Sequence, residues 1–410
     1  MLVAMLQCDG TIPRSLDLSD KCFIGELSLS GELRSVGGIL PMTLAARDNG
    51  IREIYVPLEN APEAAVVDGI KVYGVKTLRA LVSHLKGFEL MTPICFDPTA
   101  FDLSNKACDL DFADVRGQLK AKRAMEIAAA GGHNIIMIGP PGAGKSMLAK
   151  RLPTILPDMT FDEAVETTKI HSVGGNIKEG LMTDRPFRSP HHTMSAVSLV
   201  GGGANPKPGE ISLAHNGILF LDEFPEFSKA STEALRQPLE DGEVTVARVQ
   251  GRVRYPSRFM LVCAMNPCKC GFFGHPTKKC NCRTDDIKRY LSKVSGPLAD
   301  RIDIQIEVPA VTYSEMTADE KGESSASVRE RVNRARRFAL ERFKRNGIEG
   351  IYSNGEMQPA HIRQLCTVDE AGKTLLEMSF EKMGLSELPR GIEIANATEV
   401  VEMDDDPAMI

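Results

Sequence analysis

Phe23-Ile24-Gly25-Glu26-Leu27-Ser28-Leu29 alternates apolar and polar side chains, the period of a half-buried strand. Residues 42–49 follow with helical spacing and stop at Gly50, the residue type that most readily takes the left-handed turn closing a helix. Ile54-Tyr55-Val56 reads as a further strand and 77–85 as a further helix, so 22–86 predict a small α/β module within a first domain of 1–87. Periodicity fades over 88–108, where Pro93 and Pro98 mark a linker. Beyond it, 109–310 alternates apolar runs at 134–138, 218–221 and 259–264 with helical segments. That pattern predicts a parallel sheet with its ligand at the carboxyl ends of the strands. A hairpin is expected at 242–259, with Val244-Thr245-Val246-Ala247-Arg248 and Arg252-Val253-Arg254-Tyr255 flanking Gln250-Gly251. Long helical patterns at 328–344 and 373–383 predict a helical lid over 311–386, and the acidic, aperiodic stretch 387–410 reads as a frayed tail.

Composition narrows the class. A chain of 410 residues with 42% hydrophobic content supports two or three ordinary globular cores. Forty-nine Lys and Arg against 55 Asp and Glu give a net charge of -6, so no global positive field announces nucleic acid and any such contact must be local. No run approaches the roughly 20 apolar residues of a membrane span, and the first ten residues lack a basic segment followed by a long apolar one. A cytoplasmic protein is the expectation. Ten cysteines without a secretion signal then point to thiols or a metal site rather than a disulfide framework.

The chemistry concentrates at the strand ends. Gly139, Pro140, Pro141, Gly142, Ala143, Gly144, Lys145 and Ser146 match the G-x-x-x-x-G-K-[ST] phosphate loop, between an apolar strand and a helix. The glycines let backbone N–H groups turn inward around phosphates, and the helix N-terminus adds partial positive charge. Lys145 is expected on the β and γ phosphates of ATP and Ser146 on Mg2+. The alternative is a chance match in a glycine-rich turn, against which both flanks argue. Ile218-Leu219-Phe220-Leu221 ends in Asp222 and Glu223, with Asp222 expected to organise Mg2+ and Glu223 to act as general base on the attacking water. Asn266, after the 259–265 strand, could orient the same water or be a plain turn residue before Pro267. Arg301, in a loop before another apolar run, either reaches the γ phosphate of an adjoining protomer or pairs in its own chain with Asp300 or Asp303.

Cys268, Cys270, Cys280 and Cys282 enclose a loop with His275, a donor set suited to tetrahedral zinc if the C-x-C pairs turn sharply, with Gly271 and Gly274 to help. Free thiols are the alternative, and a catalytic zinc is disfavoured because four thiolates close the shell. Arg248, Arg252 and Arg254 on the hairpin are candidates for DNA backbone contacts, against a plain solvated edge. The basic run 328–345 is adequately read as a solvated lid helix, and His191-His192 as a structural pair.

The phosphate loop, Arg185-Pro186-Phe187-Arg188-Ser189-Pro190-His191-His192, Gly209-Glu210-Ile211-Ser212-Leu213-Ala214-His215-Asn216-Gly217, the strand ending in Asp222-Glu223 and the run 296–303 together resemble the ComM/YifB family of magnesium-chelatase-like AAA+ ATPases. The likeness covers most of 22–386, and 185–227 is its most specific part. It implies an α/β AAA+ core with a parallel sheet, a helical lid, and an N-terminal module of the ribosomal-S5/Lon-protease type. It further implies a homo-hexamer, ATP and Mg2+, and ATP-driven branch migration on branched or single-stranded DNA in recombination during natural transformation. Against that pattern the chain is expected to be truncated at both ends, with 1–87 only the latter half of the Lon-like module. Leu40 in Gly37-Gly38-Ile39-Leu40 replaces the catalytic lysine of the Lon-like pattern, so peptidase chemistry has no base. The chain departs from the family after Gly384-Leu385-Ser386, and Arg390 is not assigned the lid-arginine role. Two alternatives stay open: a magnesium-chelatase-type motor subunit, and an ATP-binding protein without turnover.

Overall fold

The computed structural model describes residues 1–96, 110–175, 177, 180–202, 206–248, 251–275, 277–294, 296–311, 322–366, 370 and 372–374. The chain divides into two compact units, Met1–Lys106 with Met159–Asp184 and Gly203–Pro208, and Ala107–Asp158 with Arg185–Gly202 and Gly209–Ile410.

The first unit is built on a parallel three-stranded sheet of β1 (Lys21–Phe23), β2 (Glu53–Pro57) and β3 (Lys71–Val75), adjacent in sequence order. Ile54, Val56 and Val72 point to one face with Ile39 and Ala64, while Phe23, Tyr55 and Tyr73 stack across the other with ring centroids 4.9 Å apart at each step. Such cross-strand aromatic pairs hold the register. Helix α1 (Ile39–Asp48) begins earlier than the predicted 42–49, because Gly38 takes the left-handed conformation at its N-cap and Pro41 is tolerated in a first turn. Helix α2 (Leu78–Leu85) ends where expected, its Thr77 hydroxyl capping Ala80 N–H at 3.2 Å.

Two expectations are corrected here. The 23–29 alternation is not one strand: the chain breaks at Ile24-Gly25 and resumes as Glu26–Leu27, paired antiparallel with Leu33–Arg34. Gly25, at φ 157°, lies so close to Leu33 and Pro57 that a Cβ there would sit 3.2 and 3.3 Å from them. The strand Lys71–Val75 and a short helix Leu2–Cys8 went unpredicted. In the segment read as linker, Ile94 pairs antiparallel with Val72, and 97–108 lie outside the described residues. Leu40 is fully buried and its N–H donates to Glu63 Oε1 at 2.8 Å, so the position that would carry a peptidase lysine is a core position.

The second unit carries α3 (Leu119–Gly131), β4 (Ile135–Ile138), α4 (Lys145–Arg151), β5 (Phe187–Arg188), β6 (Ile218–Leu221), the hairpin β7 (Glu243–Arg248) and β8 (Gly251–Pro256), β9 (Met260–Met265), β10 (Ile304–Glu307) and α5 (Ser325–Arg345). Five of these strands form one all-parallel sheet in the order β10-β4-β9-β6-β5. β6 and β9 are buried along their whole length, as strands covered on both faces must be, and this is why they read as unbroken apolar runs. Met125, Ile135, Met137, Leu148, Phe220 and Val262 are among the residues of the core around this sheet.

Helix α5 docks on α3 through Val328 and Val332, which join that same core. Its basic run is not simply a solvated face. Arg331 Nε donates to the buried Glu126 at 2.7 Å and the same guanidinium also holds Glu323, while Arg342 reaches Asn354 at 2.8 Å. Of the 373–383 helix, Gly372–Thr374 are helical and 375–383 lie outside the described residues, as do Gly384, Arg390 and the 387–410 stretch.

Candidate functional site

β4 runs into the glycine-rich loop 139–146, and the close approach of neighbouring backbone dictates its residues. A Cβ on Gly139 would lie 2.1 Å from the Val308 carbonyl oxygen, so no other residue fits. Gly142 and Gly144 both take positive φ, 78° and 89°, and the second starts α4 with Lys145 as its first residue. Lys145 is buried, and Nζ donates to the carbonyls of Gly139 (2.6 Å) and Pro140 (3.0 Å) and to Asn266 Oδ1 (3.2 Å). Burial pulls this ammonium below the usual lysine range, and the charge of Asp222 offsets only part of that.

The switch point of the sheet gathers the remaining polar groups. The loop follows β4, Asn266 follows β9 and Asp222 follows β6, three neighbours whose carboxyl ends share one edge. Ser146 Oγ donates to Asp222 Oδ2 at 2.6 Å, joining the hydroxyl and the carboxylate that would flank a divalent cation. Glu223 stands in the left-handed region at φ 52°, ψ 42°, its N–H on Asp222 Oδ1 at 2.9 Å and its side chain 59% exposed. The carboxylate is therefore open to water.

One contact at this edge is not legible in the sequence. His192 Nδ1 lies 3.3 Å from Glu223 Oε2, and the His192 ring packs on His191 with centroids 4.2 Å apart. The two histidines are expected to be a structural pair rather than metal ligands, and the loop leaving β5 puts His192 against the carboxylate at the end of β6. The available signal was position: the histidines follow an edge strand whose carboxyl end shares the ligand edge. The specific run around them is a self-consistent brace. Arg188 grips Glu210 in a two-pronged pair at 2.6 and 2.7 Å, and Arg185 donates to the carbonyls of Pro157 (2.6 Å) and Asn216 (2.8 Å). Gly217 leaves room for the Pro186 carbonyl, which would lie 2.1 Å from a Cβ.

Arg301 pairs within the chain, though with neither expected partner: its NH2 donates to Glu240 Oε1 at 2.8 Å. Asp303 is occupied elsewhere, accepting from Asn134 N–H at 3.0 Å and facing His133 at 3.3 Å. The hairpin buries Val244, Val246 and Tyr255 on one face and leaves Arg252 and Arg254 exposed on the other, with Arg254 3.5 Å from Glu243. Arg248 belongs to β7, but its side chain lies outside the described residues. The ligand atoms of Cys268, Cys270, Cys280 and Cys282 all lie within 4.8 Å of one another and could together hold a metal ion. His275 stays out of that group; its Nδ1 accepts from the backbone of Thr277 and Lys278 at 3.2 and 3.1 Å.

A parallel sheet of this order, with a phosphate loop after β4 and acidic residues after β6, defines a P-loop nucleotide-binding protein of the AAA+ class. Comparison with known proteins agrees. Residues 111–316 match the family model "Magnesium chelatase, subunit ChlI", 322–393 match its C-terminal model and 2–60 match "Subunit ChlI of Mg-chelatase". The chain is 43% identical to the competence protein ComM of Haemophilus influenzae over 369 residues, 89% of this chain and 70% of the relative. It is 40% identical to YifB of Escherichia coli over 365 residues, 88% and 69% of the two chains. A weaker likeness, 28% over 153 residues, covers 35% of this chain and 27% of Lon protease 2 of Bacillus subtilis. The chain belongs to the ComM/YifB family of magnesium-chelatase-like AAA+ proteins. That membership supports an ATPase-type activity with ATP and Mg2+ as its cofactors. Among the described residues no helix is long and apolar enough to cross a membrane.

Proposed function

We propose that this chain is a cytoplasmic ATPase that assembles as a homo-hexamer and spends ATP on moving or remodelling branched or single-stranded DNA, in branch migration during recombination and natural transformation. The observation that carries the reading is the convergence of Lys145, Ser146, Asp222 and Asn266 from three neighbouring strand ends, with hydrogen bonds of 2.6 to 3.2 Å among them. The loop residues Gly139 to Ser146 would wrap the phosphates with backbone N–H groups, and Lys145 would leave the loop carbonyls for the β and γ oxygens. Ser146 and Asp222 would hold Mg2+, which neutralises phosphate charge when bound. Glu223 takes the proton of the attacking water, Asn266 orients that water, and Arg301, released from Glu240, reaches the γ phosphate of the adjoining subunit.

DNA enters this reading through the exposed hairpin arginines Arg252 and Arg254, with Arg248 on the same hairpin, and through kinship with a protein named for competence. The magnesium-chelatase models favour a second reading, a motor that drives metal insertion with partner subunits. Steady-state ATP hydrolysis, measured with and without branched DNA, separates the two. The DNA motor requires turnover that rises with DNA and falls at least about 100-fold in Lys145→Ala and Glu223→Gln. Turnover indifferent to DNA favours the chelatase-type motor, and nucleotide binding without hydrolysis sinks both.

A further inference from the structure

The four-cysteine loop is placed where a metal ion would govern the nucleotide site. Strand β9 ends at Met265, and Asn266-Pro267 leads straight into Cys268, whose side chain is fully buried. The sulfurs of Cys268 and Cys270 are 3.4 Å apart, those of Cys268 and Cys280 3.7 Å, and those of Cys270 and Cys280 3.5 Å. Four thiolates at about 2.3 Å from one zinc ion in a tetrahedron lie about 3.8 Å from each other, close to this spacing. A disulfide would instead draw one pair to about 2.05 Å, and all four cysteines are free. The sharp turn that the C-x-C spacing demands comes from Gly271 and Gly274, at φ 84° and 75°. Cys268 Sγ also accepts the Phe273 N–H at 3.3 Å, and Lys269, Lys278, Lys279 and Arg283 supply positive charge along the loop to offset an anionic thiolate centre.

The same loop lies against the phosphate loop. A Cβ on Gly271 would fall 2.6 and 2.8 Å from the Pro141 ring and 3.9 Å from the Asn266 side chain. On the far side of the cluster, helix Thr284–Leu291 begins two residues after Cys282, and its Tyr290 lies beside the Asn266 backbone. Asn266 thus neighbours both ends of the thiol loop. We propose that Cys268, Cys270, Cys280 and Cys282 bind one Zn2+ in a closed, structural site, and that this ion braces Pro141 and Asn266, making ATP binding and hydrolysis depend on metal loading. The bracing rests on the ATPase reading of the pocket; the metal site does not.

The test uses the full chain purified under reducing, metal-replete conditions. Elemental analysis should find about one zinc ion per chain, lost in Cys280→Ser and Cys282→Ser and kept in Cys8→Ser and Cys95→Ser. Chains without zinc, or holding iron in its place, overturn the metal assignment. The metal-free variants should bind a fluorescent ADP analogue several-fold more weakly and turn over ATP at least about tenfold more slowly, since small displacements of a positioning group are costly. Chelation of the wild-type chain should reproduce both losses and added Zn2+ should reverse them, which a chain that has merely unfolded would not do. Wild-type affinity and turnover in a metal-free chain overturn the bracing. If the wild-type chain has no turnover at all, the pocket reading fails separately, and zinc content and nucleotide affinity still decide this proposal.

Discussion

Glu223 stands at φ 52°, ψ 42° directly after β6, in a region where the Cβ crowds the following carbonyl. For an L-residue that crowding costs about 1–2 kcal/mol. Glycine escapes it, but loses about 0.5–1 kcal/mol more backbone entropy than alanine on folding. Glu223→Ala and Glu223→Gly both delete the carboxylate and its 3.3 Å contact with His192, so the difference between them isolates the backbone. At an ordinary helix position glycine is the less stable of the two by about 0.5–1 kcal/mol. At 223 the difference of the two effects makes glycine the more stable, by about 0.5–1 kcal/mol. Urea unfolding of the two purified variants at a common slope reads this as a later midpoint for glycine, and neither variant should hydrolyse ATP. An alanine variant as stable as glycine, or more so, would refute the reasoning. The reversal of sign matters because strain kept at this position points to a backbone held there by its surroundings, as the proposed role of Glu223 requires.

Three further outcomes follow from named contacts. Arg301→Ala should bind nucleotide yet fail to hydrolyse it, and mixing it with Glu223→Gln subunits should restore part of the turnover; mixed assemblies that stay inactive would leave Arg301 with only its Glu240 pair. Arg331→Met should cost about 2 kcal/mol in urea unfolding, less than the usual buried pair, because Glu126 keeps Arg123 at 3.1 Å. The hydrogen bond from Arg331 holds the Glu323 carboxyl down at about 2, below its unfolded value, so this stabilisation is complete above about pH 4.5 and fades on acidification toward pH 2; the wild-type and Arg331→Met stabilities should converge across that window. Gly139→Ala should destabilise the chain by about 3 kcal/mol and abolish nucleotide binding, because its Cβ would meet the Val308 carbonyl at 2.1 Å, and wild-type binding in that variant would contradict the packing.

Much of the second unit was legible because its chief strands are buried on both faces and so carry no polar interruptions. Ile218–Leu221 has the expected ends, and Met260–Met265 is displaced by a single residue from the 259–264 run. The first unit was harder to read. Strand Lys71–Val75 contains Gly74, which local propensity counts against a strand; its real reason is packing, since a Cβ there would meet Leu58 at 2.8 Å and Ala61 and Ile94 at 3.0 Å. The alternation through 23–29 failed for a related cause. Gly25 allows the chain to bend against Pro57, and nothing in a period of two signals that approach.

The pocket divides in the same way between local and assembled features. Gly139 to Ser146 and Asp222-Glu223 are legible because each is one continuous piece of chain with a strand before it, so the motif and its context are read together. His192 is different. Its histidine neighbour gave a reason to call the two a structural pair, and only the placement of β5 beside β6 brings its ring to Glu223. Arg301 teaches the same lesson, since its Glu240 partner comes from the segment leading into the hairpin rather than from the aspartates beside it in sequence. Charge partners that are distant along the chain are set by sheet order, and here that order gathers Lys145, Asp222, Glu223 and His192 on one edge. A pocket assembled from neighbouring strand ends can be switched by moving any one of their loops, and the loop carrying His192 and the loop carrying the four thiols lie beside Glu223 and Asn266.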